Sequence, residues 1–333
     1  MRVIVPMAGM GKRMRPHTLT TPKPLIPVAG KPIVQRLVEY LGEMCEDKIE
    51  HIAFVVGDFG KEAEKGLCKI ADDLGAKCSI HHQAEPLGTA HAILCAKEHL
   101  KEHVIIAFAD TLFYADFKVD EDADGVIWVQ KVENPQQFGV VKLAPEGHIS
   151  EFIEKSPVIV SNLAIIGIYY FRDGENLKHE LQYLLDHDIK EKGEYQLTTA
   201  MEHMKNKGLK LFPGEVAQWL DCGNKDATVD TNKQVLEHEK NKRLIDKSAL
   251  IENSTIIPPT YIGADVVIKN SVIGPHVSIG QKTVVENAVI RNSVIQSHSR
   301  IKNRILQNSM VGNHVSLNGR IDELSVGDYS TDN

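Results

Sequence analysis

Arg2-Val3-Ile4-Val5-Pro6-Met7-Ala8-Gly9-Met10-Gly11-Lys12-Arg13 decides how the first two thirds of the chain are read. Val3, Ile4 and Val5 make a short β-favouring run, Pro6 interrupts it, and two glycines one residue apart follow. Glycines placed directly after a strand let backbone approach a phosphate closely, with N–H groups able to point at the anion. Arg13 adds a planar fork suited to two phosphate oxygens. Lys23, in Thr21-Pro22-Lys23-Pro24-Leu25, adds a compact, mobile charge. Neither the GxxxxGK[ST] spacing nor a full G-x-G-x-x-G fingerprint is present, so by themselves these glycines specify only a phosphate loop.

Working outward, strand-like runs recur at Arg2–Val5, His51–Val56, Lys77–His82, Val104–Ala109, Gly125–Val132 and Asn162–Phe171. Helical spacing fills Val34–Cys45, Lys61–Leu74 and Thr89–His99 between them. Such alternation predicts an α/β, Rossmann-like domain over residues 1–224, with a mixed, mostly parallel sheet covered by helices on both faces. Ligands in these folds bind beyond the carboxyl ends of the strands. Asp110, which closes the apolar run 104–109, is therefore expected at the functional edge.

Residues 225–248 read as a charged connecting helix, after which the pattern changes. From Leu250 to Val326 aliphatic residues return about every sixth position, as at Ile251, Ile257, Ile262, Ile268, Ile273, Ile279 and Val285. Small and turn-forming residues fill the gaps, as in Ile273-Gly-Pro-His-Val277-Ser-Ile279-Gly. The repeat resembles the hexapeptide pattern of a left-handed parallel β-helix, of about four coils over residues 249–333. An antiparallel β-sandwich fits less well, because the period is short and hairpin signals are few.

Composition narrows the function. The chain has 333 residues, is 42% hydrophobic and 25% charged, and carries a net charge of -7. No Lys/Arg cluster suits a nucleic-acid backbone, since Lys240–Arg243 sits in a segment that also carries Glu237 and Glu239 and reads as a solvated helix face. The longest apolar run, Leu163–Phe171, is far short of the ~20 residues that span a bilayer. The N-terminus lacks the layout of a signal peptide. Five cysteines (Cys45, Cys68, Cys78, Cys95, Cys222) show no CxxC spacing, which predicts reduced thiols and a cytoplasmic location.

Ala-Gly-Met-Gly-Lys-Arg-Met over 8–14, followed by Thr-Thr-Pro-Lys-Pro-Leu-Ile-Pro-Val-Ala-Gly-Lys-Pro over 20–32, resembles the N-terminal signature of the sugar nucleotidyltransferases. That family includes glucose-1-phosphate thymidylyl- and uridylyltransferases, N-acetylglucosamine-1-phosphate uridylyltransferase and mannose-1-phosphate guanylyltransferase. The resemblance covers nearly the whole chain. It implies that Ala8, Gly9, Gly11, Lys12 and Arg13 hold the triphosphate and that Lys23 reaches the reacting phosphates. Gln83-Ala-Glu-Pro-Leu-Gly88-Thr89-Ala resembles the base-reading segment, with Gln83 able to pair a pyrimidine edge. Guanylyl members tend to carry an acidic residue at this point, so dTTP or UTP is expected.

Asp110 stands where the family usually reads Gly-Asp; here the run is Ala109-Asp110-Thr111. Asp221, in Trp219-Leu-Asp221-Cys-Gly223, resembles the family's W-x-D-x-G element. The two carboxylates, with substrate phosphates, are expected to hold Mg²⁺. On the sugar side the resemblance implies Gly139 admitting the ring, Glu154 and Asn162 bonding hydroxyls, and Lys155 gripping the 1-phosphate. Glu194 matches a further family segment, and Tyr169 reads equally as sugar contact or core. The implied reaction joins an NTP and a sugar 1-phosphate, best glucose 1-phosphate, giving an NDP-sugar and pyrophosphate.

Three alternatives stand beside this one. The first is transfer with N-acetylglucosamine 1-phosphate or mannose 1-phosphate. The second is a coenzyme A-dependent acyl transfer at His276, His298 or His314 in the repeat region. The third is a non-catalytic, nucleotide-sugar-binding regulatory subunit. The flat faces and open ends of a β-helix also suit homo-oligomer contacts.

Overall fold

The first strand, β1 (Arg2–Pro6), is flanked on both sides by parallel partners and is buried from Val3 to Pro6. The computed structural model of the chain describes residues 1–45, 47–114, 120 and 122–320. Chain order then runs α1 (Ile33–Met44), β2 (His51–Val56), α2 (Lys61–Asp73), β3 (Lys77–His82), α3 (Thr89–Leu94), β4 (Val104–Ala107), β5 (Thr111–Tyr114) and β6 (Gly125–Lys131). It continues with β7 (Gly139–Leu143), β8 (Ile149–Glu154), β9 (Leu163–Phe171), α4 (Gly174–Asp186), α5 (Leu197–Asn206), β10 (Leu211–Glu215) and β11 (Gln218–Asp221).

The main sheet has the order β8-β7-β9-β4-β1-β2-β3, with β6 pairing β9 and β10. Strands β4, β1, β2 and β3 run parallel, while β9 is antiparallel to β4 and β6. This is the mixed, mostly parallel α/β sheet that the alternating pattern predicts. Its core gathers Ile4, Val55, Ile106, Ile127 and Phe171 from the strands with Ile93, Leu181 and Met201 from the helices. Burying apolar area at roughly 25 cal/mol per Å² is what holds these layers together.

Two details differ from the sequence reading. The helix expected over Thr89–His99 stops at Leu94 and restarts only as a 3₁₀ turn at Lys97–His99. Cys68 and Cys78 are joined by a disulfide, which corrects the expectation of five reduced thiols; Cys45, Cys95 and Cys222 are free. The physical reason is tertiary. Packing of α2 on β3 brings the two Cα atoms to 5.2 Å, a pairing that a search for CxxC spacing does not see.

A second compact unit comprises Pro27–Gly30 and the chain from Lys225 onward. It opens with α6 (Lys225–His238). Short strands then stack strictly in parallel: Leu250 opposite Val267, Val267 opposite Val284, Val284 opposite Arg300 and Arg300 opposite Ser316. Successive coils are thus offset by 16 or 17 residues, a spacing repeated in their side-chain bonds. This is a β-helix, and its core is the aliphatic ladder Ile262, Ile268, Ile273, Ile279, Val285, Ile290, Ile295 and Ile301. The expected end of the repeat, Val326, lies outside the described residues. Among the described residues no helix is long and apolar enough to cross a membrane.

Candidate active site

Asp110 follows the carboxyl end of β4, and Asp221 is the last residue of β11. The pairing of β5 with β11 sets Thr111 opposite Asp221, and the Cys222 N–H donates to the Asp110 carbonyl at 3.1 Å. Two acidic residues far apart in sequence are thereby fixed as neighbours by main chain. Lys23 Nζ donates to Asp110 Oδ2 at 3.0 Å, and only 8% of the lysine is exposed. Asp221 Oδ1 accepts the Gly223 N–H at 2.9 Å. Its carboxyl is held above the usual range, first by burial and then by the Asp110 carboxylate; Lys23, the Gly223 N–H and Arg13 oppose this.

The glycine loop is shaped around these groups. Gly11 adopts φ 56°, and a Cβ there would lie 3.0 Å from Lys23 Cβ and from Thr18. The Thr18 hydroxyl donates to the Gly11 carbonyl at 2.8 Å, fixing the turn into the 3₁₀ segment Lys12–Met14. Any side chain at Gly11 would press on the lysine that faces Asp110. A Cβ at Gly223 would likewise meet the Asp221 carboxylate at 2.9 Å and the Arg13 guanidinium at 3.3 Å.

Two clefts meet here. The first, about 440 Å³, is lined by Ala8, Gly9, Gly11, Lys12, Arg13, Lys23, Gln83, Gly88, Thr89 and Asp110. The second, about 280 Å³, is lined by Gly139, Glu154, Lys155, Tyr169, Asp221 and Trp219. Arg13, Thr89, Phe108, Asp110 and Glu194 line both. Gln83 Nε2 donates to the Gly88 carbonyl at 3.1 Å and lies 3.1 Å from His91 Nδ1, which fixes the carboxamide.

On the second cleft, β7 and β8 pair Gly139 with Glu154, and a Cβ on Gly139 would stand 3.0 Å from Glu154 Oε2. Lys155 turns at φ 43°, with its Nζ 3.4 Å from Glu154 Oε1. Lys192 Nζ caps that bend by donating to the carbonyls of Glu154 and Lys155 at 2.9 and 3.1 Å. Tyr169 is buried beside Phe108, and burial together with Glu154 and Asp110 pushes its phenol upward, so it stays protonated.

Asn162 is exposed and lines neither cleft; its carbonyl accepts the Val132 N–H at 3.0 Å. Thr89 lines both clefts, yet its hydroxyl donates to Gln196 Oε1 at 3.1 Å and accepts the Leu197 N–H at 2.9 Å. Sequence reasoning assigned no role to the aromatic walls, Phe108 and the edge-on pair Phe138–Trp219, whose rings are 5.0 Å apart. A signal was available, since Phe138 and Trp219 flank Gly139 and Asp221.

A nucleotidyl transferase family model matches residues 2–238. The chain belongs to the nucleotidyl transferase family. It is 30% identical over 251 residues to the low-salt glycan biosynthesis nucleotidyltransferase Agl11 of Haloferax volcanii, covering 73% of this chain and 68% of that one. It is 33% identical over 265 residues to the bifunctional protein GlmU of Methanocaldococcus jannaschii, covering 77% of this chain but only 60% of that relative's length. A glucose-1-phosphate thymidylyltransferase of Streptomyces griseus is 28% identical over 290 residues, covering 79% and 78%. A solved UDP-glucose pyrophosphorylase in complex with UDP-glucose shares the fold at a TM-score of 0.59 and 22% identity, over 71% of this chain and 98% of that one. These relatives are sugar nucleotidyltransferases, and family members generally use a divalent metal.

The residues present fit such an ion. Asp110 and Asp221 supply hard oxygen donors on adjoining backbone, and the upward push on Asp221, which comes first from burial and then from the Asp110 carboxylate, is one that a cation between them relieves.

Proposed function

We propose that the chain transfers a nucleotidyl group from dTTP or UTP to a sugar 1-phosphate, best glucose 1-phosphate, releasing pyrophosphate. One observation carries this reading: the two clefts share a charged meeting point at Arg13 and Asp110, with Lys23 bonded to Asp110. The triphosphate would occupy the glycine-lined cleft, and Gln83, its amide nitrogen already bonded, would offer its oxygen to a pyrimidine N3–H. The sugar would lie along Gly139 and Glu154, its 1-phosphate reaching Lys155.

The reaction is an in-line displacement at the α-phosphorus. A sugar 1-phosphate oxygen forms the new P–O bond while the bond to pyrophosphate breaks, and the leaving group takes the electron pair. No general base is needed, because a phosphate monoester with a second pKa of ~6 is already largely ionised at neutral pH. The difficulty is bringing two polyanions together. Arg13, Lys23 and Lys155 offset that repulsion and align the groups. Mg²⁺ held by Asp110 and Asp221 would supply further charge neutralisation on the phosphates.

Lys23→Ala and Asp110→Asn are each expected to lower pyrophosphate release ~10²-fold or more with the circular dichroism spectrum unchanged. Near-normal turnover in either folded variant would overturn the assignment. A matrix of dTTP, UTP, GTP, CTP and ATP against several sugar 1-phosphates identifies base and sugar. Similarity to GlmU favours one second reading, UTP with N-acetylglucosamine 1-phosphate, which the same matrix separates. A coenzyme A release assay addresses acyl transfer. Of the repeat histidines, His276 is bonded to Glu237 at 2.6 Å, and His298 stacks on His314 at 4.9 Å.

A further inference from the structure

Ser79 Oγ is the meeting point of three imidazoles. His51 Nε2, His81 Nε2 and His99 Nε2 lie 2.8, 2.8 and 3.0 Å from it. The parallel register of β2 and β3 sets Ala53 opposite Ser79 and Val55 opposite His81, so His51, Ser79 and His81 share one face of the sheet. His99 arrives from the 3₁₀ turn after α3, stacked on His51 with ring centres 4.1 Å apart. Beside it Glu98 places Oε1 3.6 Å from His81 Nδ1. None of these residues lines either cleft of the candidate active site.

A hydroxyl has one proton and two lone pairs, so three contacts saturate Ser79. That accounts for one nitrogen of each ring. It does not account for a carboxylate drawn against the same group of imidazoles. His81, Glu98 and His99 each offer a ligand atom, all within 4.8 Å of one another. Zinc–nitrogen distances of about 2.0–2.1 Å require ligands roughly 3.4 Å apart in a tetrahedron, so side-chain rotation of about an ångström closes the set.

We infer that His81, His99 and Glu98, with water in the remaining position, form a binding site for a first-row transition metal of the Zn²⁺ type. Imidazole with one carboxylate suits Zn²⁺, Co²⁺ or Ni²⁺, whereas Mg²⁺ prefers an all-oxygen shell. Strand β3 is the sheet edge, tied on its other face to α2 by Cys68–Cys78. An ion here would fasten that edge to the turn after α3. Its role is structural and stands apart from nucleotidyl transfer.

The test uses the full chain, stripped with EDTA and returned to buffer with excess Mg²⁺ to occupy carboxylate sites. Zn²⁺ titration by calorimetry is expected to show one more high-affinity site per chain in wild type than in His81→Gln/His99→Gln. Each single variant should bind at least tenfold more weakly. Pyrophosphate release with Mg²⁺ should be unchanged in these variants. Equal stoichiometry and affinity in wild type and the double variant would overturn the inference. Should the variants not fold, X-ray absorption of the wild-type zinc complex decides: imidazole nitrogen scattering is expected, and an all-oxygen shell refutes the site.

Discussion

Gly88 adopts φ 117° and ψ 179°, a region essentially reserved for glycine. A Cβ there would come within 2.4 Å of the Tyr195 carbonyl oxygen and 2.7 Å of its nitrogen. That contact is backbone against backbone, and the ladder bonds Tyr195 N–H to Leu87 O and Ala90 N–H to Tyr195 O hold it in place. Gly88→Ala should therefore cost stability by about 1–3 kcal/mol or more from strain alone. It should also lower kcat/KM ~10²-fold by moving Gln83, whose amide is bonded to the Gly88 carbonyl. Denaturant unfolding and a pyrophosphate assay read the two effects separately, and a stable, fully active variant would contradict both. At this scale the sequence is most readable where chemistry restricts the residue type. Gly11, Lys23, Asp110 and Gly139 belong to such motifs and reach the clefts. Asn162 matched a motif too, yet its side chain lies outside them, because the sheet register decides where a strand-end residue faces.

Elements add what single positions do not reveal. The strands β5 and β11 went unread in the sequence because each is only four residues long and pairs with a distant partner, whereas the helices α4 and α5 went unread although Leu177, Leu181 and Leu184, and Leu197, Ala200, Met201 and Met204, carry regular helical spacing. Yet the β5–β11 pair is what places Asp221 beside Asp110. The histidine group between β2, β3 and the turn after α3 is likewise invisible to spacing rules, since its members belong to three elements. Burial, followed by the charges of His51 and His81, pushes His99 down to about 4. His51 is lowered too, by burial and then by Arg2, His81 and Lys77, with Glu98 opposing. An imidazole near 6.5 in the unfolded chain and near 4 in the folded one binds more protons when unfolded across that interval. Its contribution to stability is complete above pH 6.5 and is lost as pH falls towards 4. Urea unfolding in EDTA should show midpoints dropping over pH 6.5 to 4 in wild type. His99→Gln should flatten that slope, and an unchanged slope would place the acid sensitivity elsewhere.

In the molecule as a whole, two hydrophobic periods were legible: strand–helix alternation, then an aliphatic residue at about every sixth position. The corners of the β-helix carry a second signal that aliphatic spacing leaves unused. Asn270, Asn287 and Asn303 all have positive φ, which asparagine tolerates, and their side chains bond coil to coil at 3.1–3.3 Å. Less legible was that Pro27–Gly30, far upstream in sequence, belongs to the same compact unit. Asn232 on α6 explains how it is held. Its Oδ1 accepts the Ala29 N–H at 2.9 Å and the Ser278 hydroxyl at 2.6 Å, and the residue is wholly buried. Gly30 beside it turns at φ 83° under the Tyr261 ring, where a Cβ would come within 2.1 Å. Asn232→Leu keeps the branching and the number of side-chain heavy atoms but leaves two buried donors without their acceptor, each worth about 1–3 kcal/mol when stranded. The expected result is a loss of at least ~2 kcal/mol in the unfolding of this unit, seen as a lower denaturant midpoint at constant slope. A change under ~0.5 kcal/mol, the range of an ordinary surface substitution, would mean that Asn232 does not anchor the upstream segment.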